Sequence, residues 1–133
     1  MTVGMCNCGA VEFEIDIDLK DVYVCHCSIC RKWSGHSGIG VVIVPNAAFH
    51  WLRGQDATKT WSKPDADWQS HFCETCGSAV PGANDPEHIF VPAGLLNTEI
   101  DTLKVKAHIF VGSKAAWDEI GDDGVQYWER IEP

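Results

Sequence analysis

Between Val11 and Ile17 the chain alternates apolar and acidic residues: Val11, Phe13, Ile15 and Ile17 are interleaved with Glu12, Glu14 and Asp16. A period of two predicts a strand with one buried face. Residues 18–21 read as a turn, and Val22-Tyr23-Val24 as a short strand leading into a cysteine-rich loop. Residues 39–44 are apolar and β-branched and stop at Pro45, the pattern of a buried strand. Further short strands are expected at 49–52, 58–61, 69–72, 88–91 and 106–111, separated by Gly, Pro, Asn and Asp. Near the end, Ser113 is placed to cap a short helix that carries Trp117 and Ile120 on one face and stops at Gly121.

Many short strands and one late helix predict a mainly β fold. With 133 residues and no internal repeat or low-complexity linker, the expectation is a single domain over residues 1–133. No apolar run is long enough to span a membrane, and no basic segment followed by an apolar one opens the chain, so the expected location is cytoplasmic. The formal net charge is -9. An acidic surface repels a phosphate backbone, which argues against a nucleic-acid partner.

Seven cysteines change the picture. They fall into three clusters: Cys6-Asn7-Cys8-Gly9, Cys25-His26-Cys27-Ser28-Ile29-Cys30 and Cys73-Glu74-Thr75-Cys76-Gly77. An odd count at such tight spacing argues for metal binding or thiol chemistry over a disulfide framework. Pairs spaced C-x-C and C-x-x-C let one turn present two thiolates to one ion, and zinc takes four. Cys6, Cys8, Cys73 and Cys76 can therefore close a structural site. Cys25, Cys27 and Cys30 then form a three-ligand site with an open position, for which His26, His36, His71 and His108 are candidate fourth ligands.

A second partition joins Cys25 and Cys27 to Cys73 and Cys76 and leaves the others reactive; spacing leaves both open. Three thiolates on a divalent ion carry a net negative charge, which weakens activation of water and favours capture of another thiol. Arg31 and Lys32, the one adjacent basic pair, offer cations for the carboxylates of such a thiol.

These motifs, taken in order, resemble the glutathione-dependent formaldehyde-activating family, to which centromere protein V is related. The resemblance rests on Cys6-x-Cys8-Gly9-x-Val11, on Cys25-His26-Cys27-Ser28-x-Cys30-Arg31-Lys32 with Ser34-Gly35, and on Phe72-Cys73-x-x-Cys76-Gly77-Ser78. Ala93-Gly94-x-Leu96, His108-Ile109-Phe110-Val111 and Ser113-Lys114-Ala115-x-Trp117 extend it to most of the chain.

The resemblance implies an Mss4-like β-tent of short antiparallel strands around zinc knuckles, with two zinc ions per chain. Cys6, Cys8, Cys73 and Cys76 match the structural zinc ligands, and Cys25, Cys27 and Cys30 the second zinc site. It also implies carbon–sulfur lyase activity, joining a glutathione-like thiol to a small aldehyde such as formaldehyde, or the reverse. Catalytic roles then fall on Cys25, Cys27, Cys30, Arg31 and Lys32. The competing expectations are a zinc-stabilised thiol carrier or protein-binding module, and a redox sensor built on the cysteine trio.

Overall fold

A computed structural model describes residues 1–132. It is mainly β, as the alternation predicts, with eleven strands and a single α-helix among the described residues. The chain separates into two compact units, Met1–Asp18 with Ile43–Ile100, and Leu19–Val42 with Asp101–Pro133.

In the first unit, β1 (Thr2–Met5), β2 (Glu12–Ile15) and β5 (Phe49–Arg53) form an antiparallel sheet in the order β1-β2-β5. Val11, Phe13 and Ile15 are fully buried, as their spacing requires. Phe13 stacks on Phe49 at 5.4 Å, and Phe49 meets Trp51 edge-on at 5.0 Å. Burying each such side chain is worth about 1.5–3 kcal/mol.

The alternation stops one step early. Asp16 N–H donates to the Ala48 carbonyl, the chain bends, and Ile17 turns outward while Leu19 becomes buried. Two antiparallel hairpin pairs complete the unit: β6 (Thr58–Ser62) with β7 (Gln69–Cys73), and β8 (Gly82–Asp85) with β9 (His88–Pro92).

The second unit holds β3 (Asp21–Cys25), α1 (Ser28–Ser34), the start of β4 (Ile39–Pro45), β10 (Lys104–Ile109) and β11 (Val125–Gln126). Its strands lie in the order β11-β10-β3-β4. β3 and β4 are antiparallel, but β10 runs parallel to both β3 and β11. The parallel pairing follows from where β10 begins: Lys104 N–H donates to the Lys20 carbonyl, so β10 and β3 start at the same end.

The helix is not where the sequence places it. Ser113 ends a 3-10 turn, Val111–Ser113, closed by i→i+3 bonds from Ser113 to Phe110 and from Lys114 to Val111, and no α-helix follows it among the described residues. The N–H groups of Phe110, Val111 and Gly112 donate to Glu129, Tyr127 and Trp128 of the returning tail, and Phe110 sits at φ 56. Trp117, expected on the apolar face of that helix, is 66 % exposed.

The α-helix instead occupies the central cysteine cluster, expected to be loop throughout. Cys27 caps it, its sulfur accepting from Cys30 N–H at 3.3 Å, and Gly35 ends it in the left-handed conformation. No described helix is long and apolar enough to cross a membrane.

Candidate metal centres

Two knuckles of the same design build the first cluster. In one, Gly9 at φ 81 returns its N–H to the Cys6 carbonyl; in the other, Gly77 at φ 77 returns its N–H to the Cys73 carbonyl. A side chain at either position would strain a backbone that glycine adopts freely. Asn7 N–H donates to Ser78 Oγ at 3.0 Å and ties the knuckles together.

The four sulfurs of Cys6, Cys8, Cys73 and Cys76 all lie within 4.8 Å of one another. Cys6 and Cys8 are 3.6 Å apart, and Cys8 and Cys73 3.8 Å. A tetrahedral zinc–thiolate site with bonds of about 2.3 Å has sulfur–sulfur edges of about 3.8 Å, so the donor set fits such an ion. Cys6 and Cys73 are buried, in one apolar cluster with Val11 and Val80. Val11 N–H donates to the Cys6 sulfur at 3.3 Å. Hydrogen bonding from Ser78 brings the Cys76 thiol down to about 5, which favours the thiolate that a cation requires.

The second group comprises Cys25, at the end of β3, Cys27, at the helix cap, and Cys30, in its first turn. Their sulfurs also lie within 4.8 Å of one another, and among the described residues no fourth ligand atom joins the group. All seven cysteines are free thiols. Cys30 hydrogen-bonds to Cys25, which brings the Cys25 thiol down to about 6 against the opposing effect of burial. The same bond, with burial and the neighbouring sulfurs, pushes Cys30 up. The bend after the trio is tight: a Cβ on Gly38 would lie 2.4 Å from the Cys25 carbonyl oxygen.

His26, between two of these cysteines, faces away from them. It is 2 % exposed, its Nε2 lies 2.8 Å from His108 Nδ1, and its backbone N–H donates to the Ile109 carbonyl at 3.0 Å. His108 Nε2 in turn lies 2.8 Å from an Asp122 carboxylate oxygen. A carboxylate only accepts, so Nε2 of His108 carries the proton and its Nδ1 accepts from His26 Nε2–H. His26 Nδ1 faces the Ser37 carbonyl at 3.3 Å and Asp118 at 3.7 Å. Those acceptors favour a proton there too, while burial first and His108 second hold the His26 pKa below the ordinary imidazole value.

Arg31 and Lys32 both fall in the last turn of α1. Neighbours on a helix are turned by about 100° and do not share a face. Arg31 is half-buried, with Nε buried and without a partner, while Lys32 is exposed. The helix therefore does not present them as one clamp. His71 is hydrogen-bonded to Thr60 in the first unit, and exposed His36 stacks on Trp117 at 5.9 Å.

The fold and its two cysteine groups define a mainly β protein with two clusters that could hold metal ions. Comparison with known proteins narrows this class. The family described as glutathione-dependent formaldehyde-activating enzyme matches residues 1–113. A Halomonas elongata protein carrying the provisional name of glutathione-dependent formaldehyde-activating enzyme is 27% identical over 124 residues, covering 88% of this chain and 79% of its own length. A crystal structure of a Rhodobacter sphaeroides protein superposes with a TM-score of 0.60 at 24% identity, covering 74% of this chain and 91% of that one. The chain belongs to the glutathione-dependent formaldehyde-activating enzyme family.

Proposed function

We propose that this protein is a zinc-dependent carbon–sulfur lyase that joins a glutathione-like thiol to a small aldehyde such as formaldehyde, or reverses that step. The observation that carries the reading is the division of the sulfurs into a group of four and a group of three. Cys6, Cys8, Cys73 and Cys76 would hold a structural zinc, and Cys25, Cys27 and Cys30 a second zinc. Three protein ligands leave a coordination position for an incoming ligand. Zinc bound there would lower the pKa of a coordinating thiol and so supply thiolate at neutral pH.

The reaction forms one sulfur–carbon bond and opens the carbonyl π bond. The thiol proton ends on the former carbonyl oxygen, so RSH and CH2O give RSCH2OH. The chain's own contribution begins with Cys30, which must release the proton it shares with Cys25 before the trio can bind a cation. Arg31 follows Cys30 directly in sequence, and its guanidinium would supply a cation for a substrate carboxylate. Lys32, on another face, supplies charge at longer range.

Cys27→Ser tests the assignment cleanly, because serine is itself a good helix cap and keeps an acceptor for Cys30 N–H. With zinc-loaded protein, glutathione and formaldehyde, adduct formation followed by NMR is expected to exceed the spontaneous rate for the native chain and to fall to it in Cys27→Ser. A native rate no faster than the spontaneous one overturns this substrate pair. Tight glutathione binding in that case would identify a thiol carrier instead.

A further inference from the structure

The family match ends at residue 113, yet the segment beyond it reaches back toward the cysteine trio. β11 pairs with β10 through Ala107↔Val125 and His108↔Gln126, and Tyr127 N–H donates to the His108 carbonyl at 2.8 Å. Three more backbone bonds fasten residues 127–129 to Phe110, Val111 and Gly112. This strap sets Asp122 against His108, and a second bond, from Gly124 N–H to the same Asp122 oxygen at 2.8 Å, fixes the carboxylate.

From Asp122 the path runs through His108, 4 % exposed, to His26. His26 is the residue between Cys25 and Cys27, and it is held twice: by its ring to His108 and by its backbone to Ile109. Fixing both the ring and the peptide of that residue fixes the backbone from which the two flanking sulfurs project. A cation site of three soft ligands tolerates errors of only a few tenths of an ångström.

We propose that Asp122, through His108 and His26, is a positioning residue for the three-cysteine site, and that the C-terminal strap exists to deliver it. The inference rests on the trio holding a metal and is independent of the reaction catalysed there. Partners hydrogen-bonded directly to metal ligands typically contribute 10–100-fold in metal affinity, and a brace on the residue between two ligands is expected at the low end, about tenfold. Asp122 is exposed enough for replacement by alanine to leave the core intact.

The test is cobalt(II) titration of the full chain, read by thiolate charge-transfer absorption and visible ligand-field bands. The native chain is expected to take up two equivalents. Asp122→Ala is expected to keep the first at native affinity, weaken the second by about tenfold or more, and shift its ligand-field bands. Asp123→Ala is the control for loss of a negative charge from the same exposed segment, since it is Asp122 and not Asp123 whose carboxylate meets His108. It is expected to leave the second affinity within about threefold of native, well short of the loss that follows when an orienting partner is removed.

A native chain with two equivalents and an unchanged Asp122→Ala variant overturns the positioning role alone. So does an Asp122→Ala variant that weakens both equivalents alike, or an Asp123→Ala variant that loses as much as Asp122→Ala. A native chain that takes up one equivalent overturns the reading of the trio as a metal site, and the positioning role with it.

Discussion

Cys73→Ser is expected to lose one of two metal equivalents and, with it, the cooperative unfolding transition of the chain. Serine nearly matches cysteine in volume, so packing is not the reason. Cys73 is fully buried at the end of β7, and its sulfur lies 3.8 Å from that of Cys8, 65 residues away in sequence. A cross-link closing a loop of that length restricts the unfolded chain by about 4 kcal/mol. Structural zinc sites in small peptides contribute more still, about 10–16 kcal/mol at neutral pH. A domain of this size has only about 5–15 kcal/mol in total. Losing one ligand of four therefore removes most of the margin.

Cys30→Ser should lose the other equivalent and still melt cooperatively, because its three-sulfur group joins residues only five apart. Metal content by elemental analysis, paired with thermal melts, separates the two variants. A Cys73→Ser chain that retains both metals and melts like the native one removes the four-sulfur group from its structural role.

Gly54→Ala is expected to destabilise the chain by about 3 kcal/mol. Two costs combine. Gly54 sits at φ 79, where a residue with a Cβ loses about 1–2 kcal/mol. The added Cβ would also lie 2.1 Å from the Ala10 carbonyl oxygen and 2.9 Å from Val11 Cα. Those are backbone atoms with no rotamer to change, so β2 and β5 must separate, at a further 1–3 kcal/mol. The melting temperature should fall by roughly 10 °C. The metal of the four-sulfur group should also be held less tightly, because Val11 N–H is the donor to the Cys6 sulfur. A melting temperature within about 2 °C of native contradicts this, since a 3 kcal/mol loss corresponds to a shift several times larger.

The readable parts of the fold were those with a local cause. Alternation from Val11 to Ile15 depends only on one strand's period, and the knuckles depend only on cysteine spacing followed by Gly9 or Gly77. The position of the helix has causes that are non-local or unusual. Ser113 has a suitable cap and following residues, but the N–H groups before it are claimed by a tail some 15–20 residues further on. Ser28–Ser34 is capped by a cysteine, a residue with no strong capping preference.

Spacing left two groupings of the sulfurs open, and the folded chain brings together Cys6, Cys8, Cys73 and Cys76 in one group and Cys25, Cys27 and Cys30 in the other. The Asp122–His108–His26 path was not legible in the spacing, because it joins His26 to a residue 82 positions away and gives no periodic signal. His108 stood out only as one of several candidate ligands. Its contact with His26 follows from the pairing of β10 with β3.

The distance in sequence between the two knuckles sets a schedule for the nascent chain. Cys6 and Cys8 leave the ribosome 65 or more residues ahead of Cys73, a wait of roughly 3–13 s at ordinary rates of synthesis. Throughout that interval they are a pair of close thiols with no completed site to enter. Cys6 is buried only once the fold is complete, while Cys8 stays exposed even then.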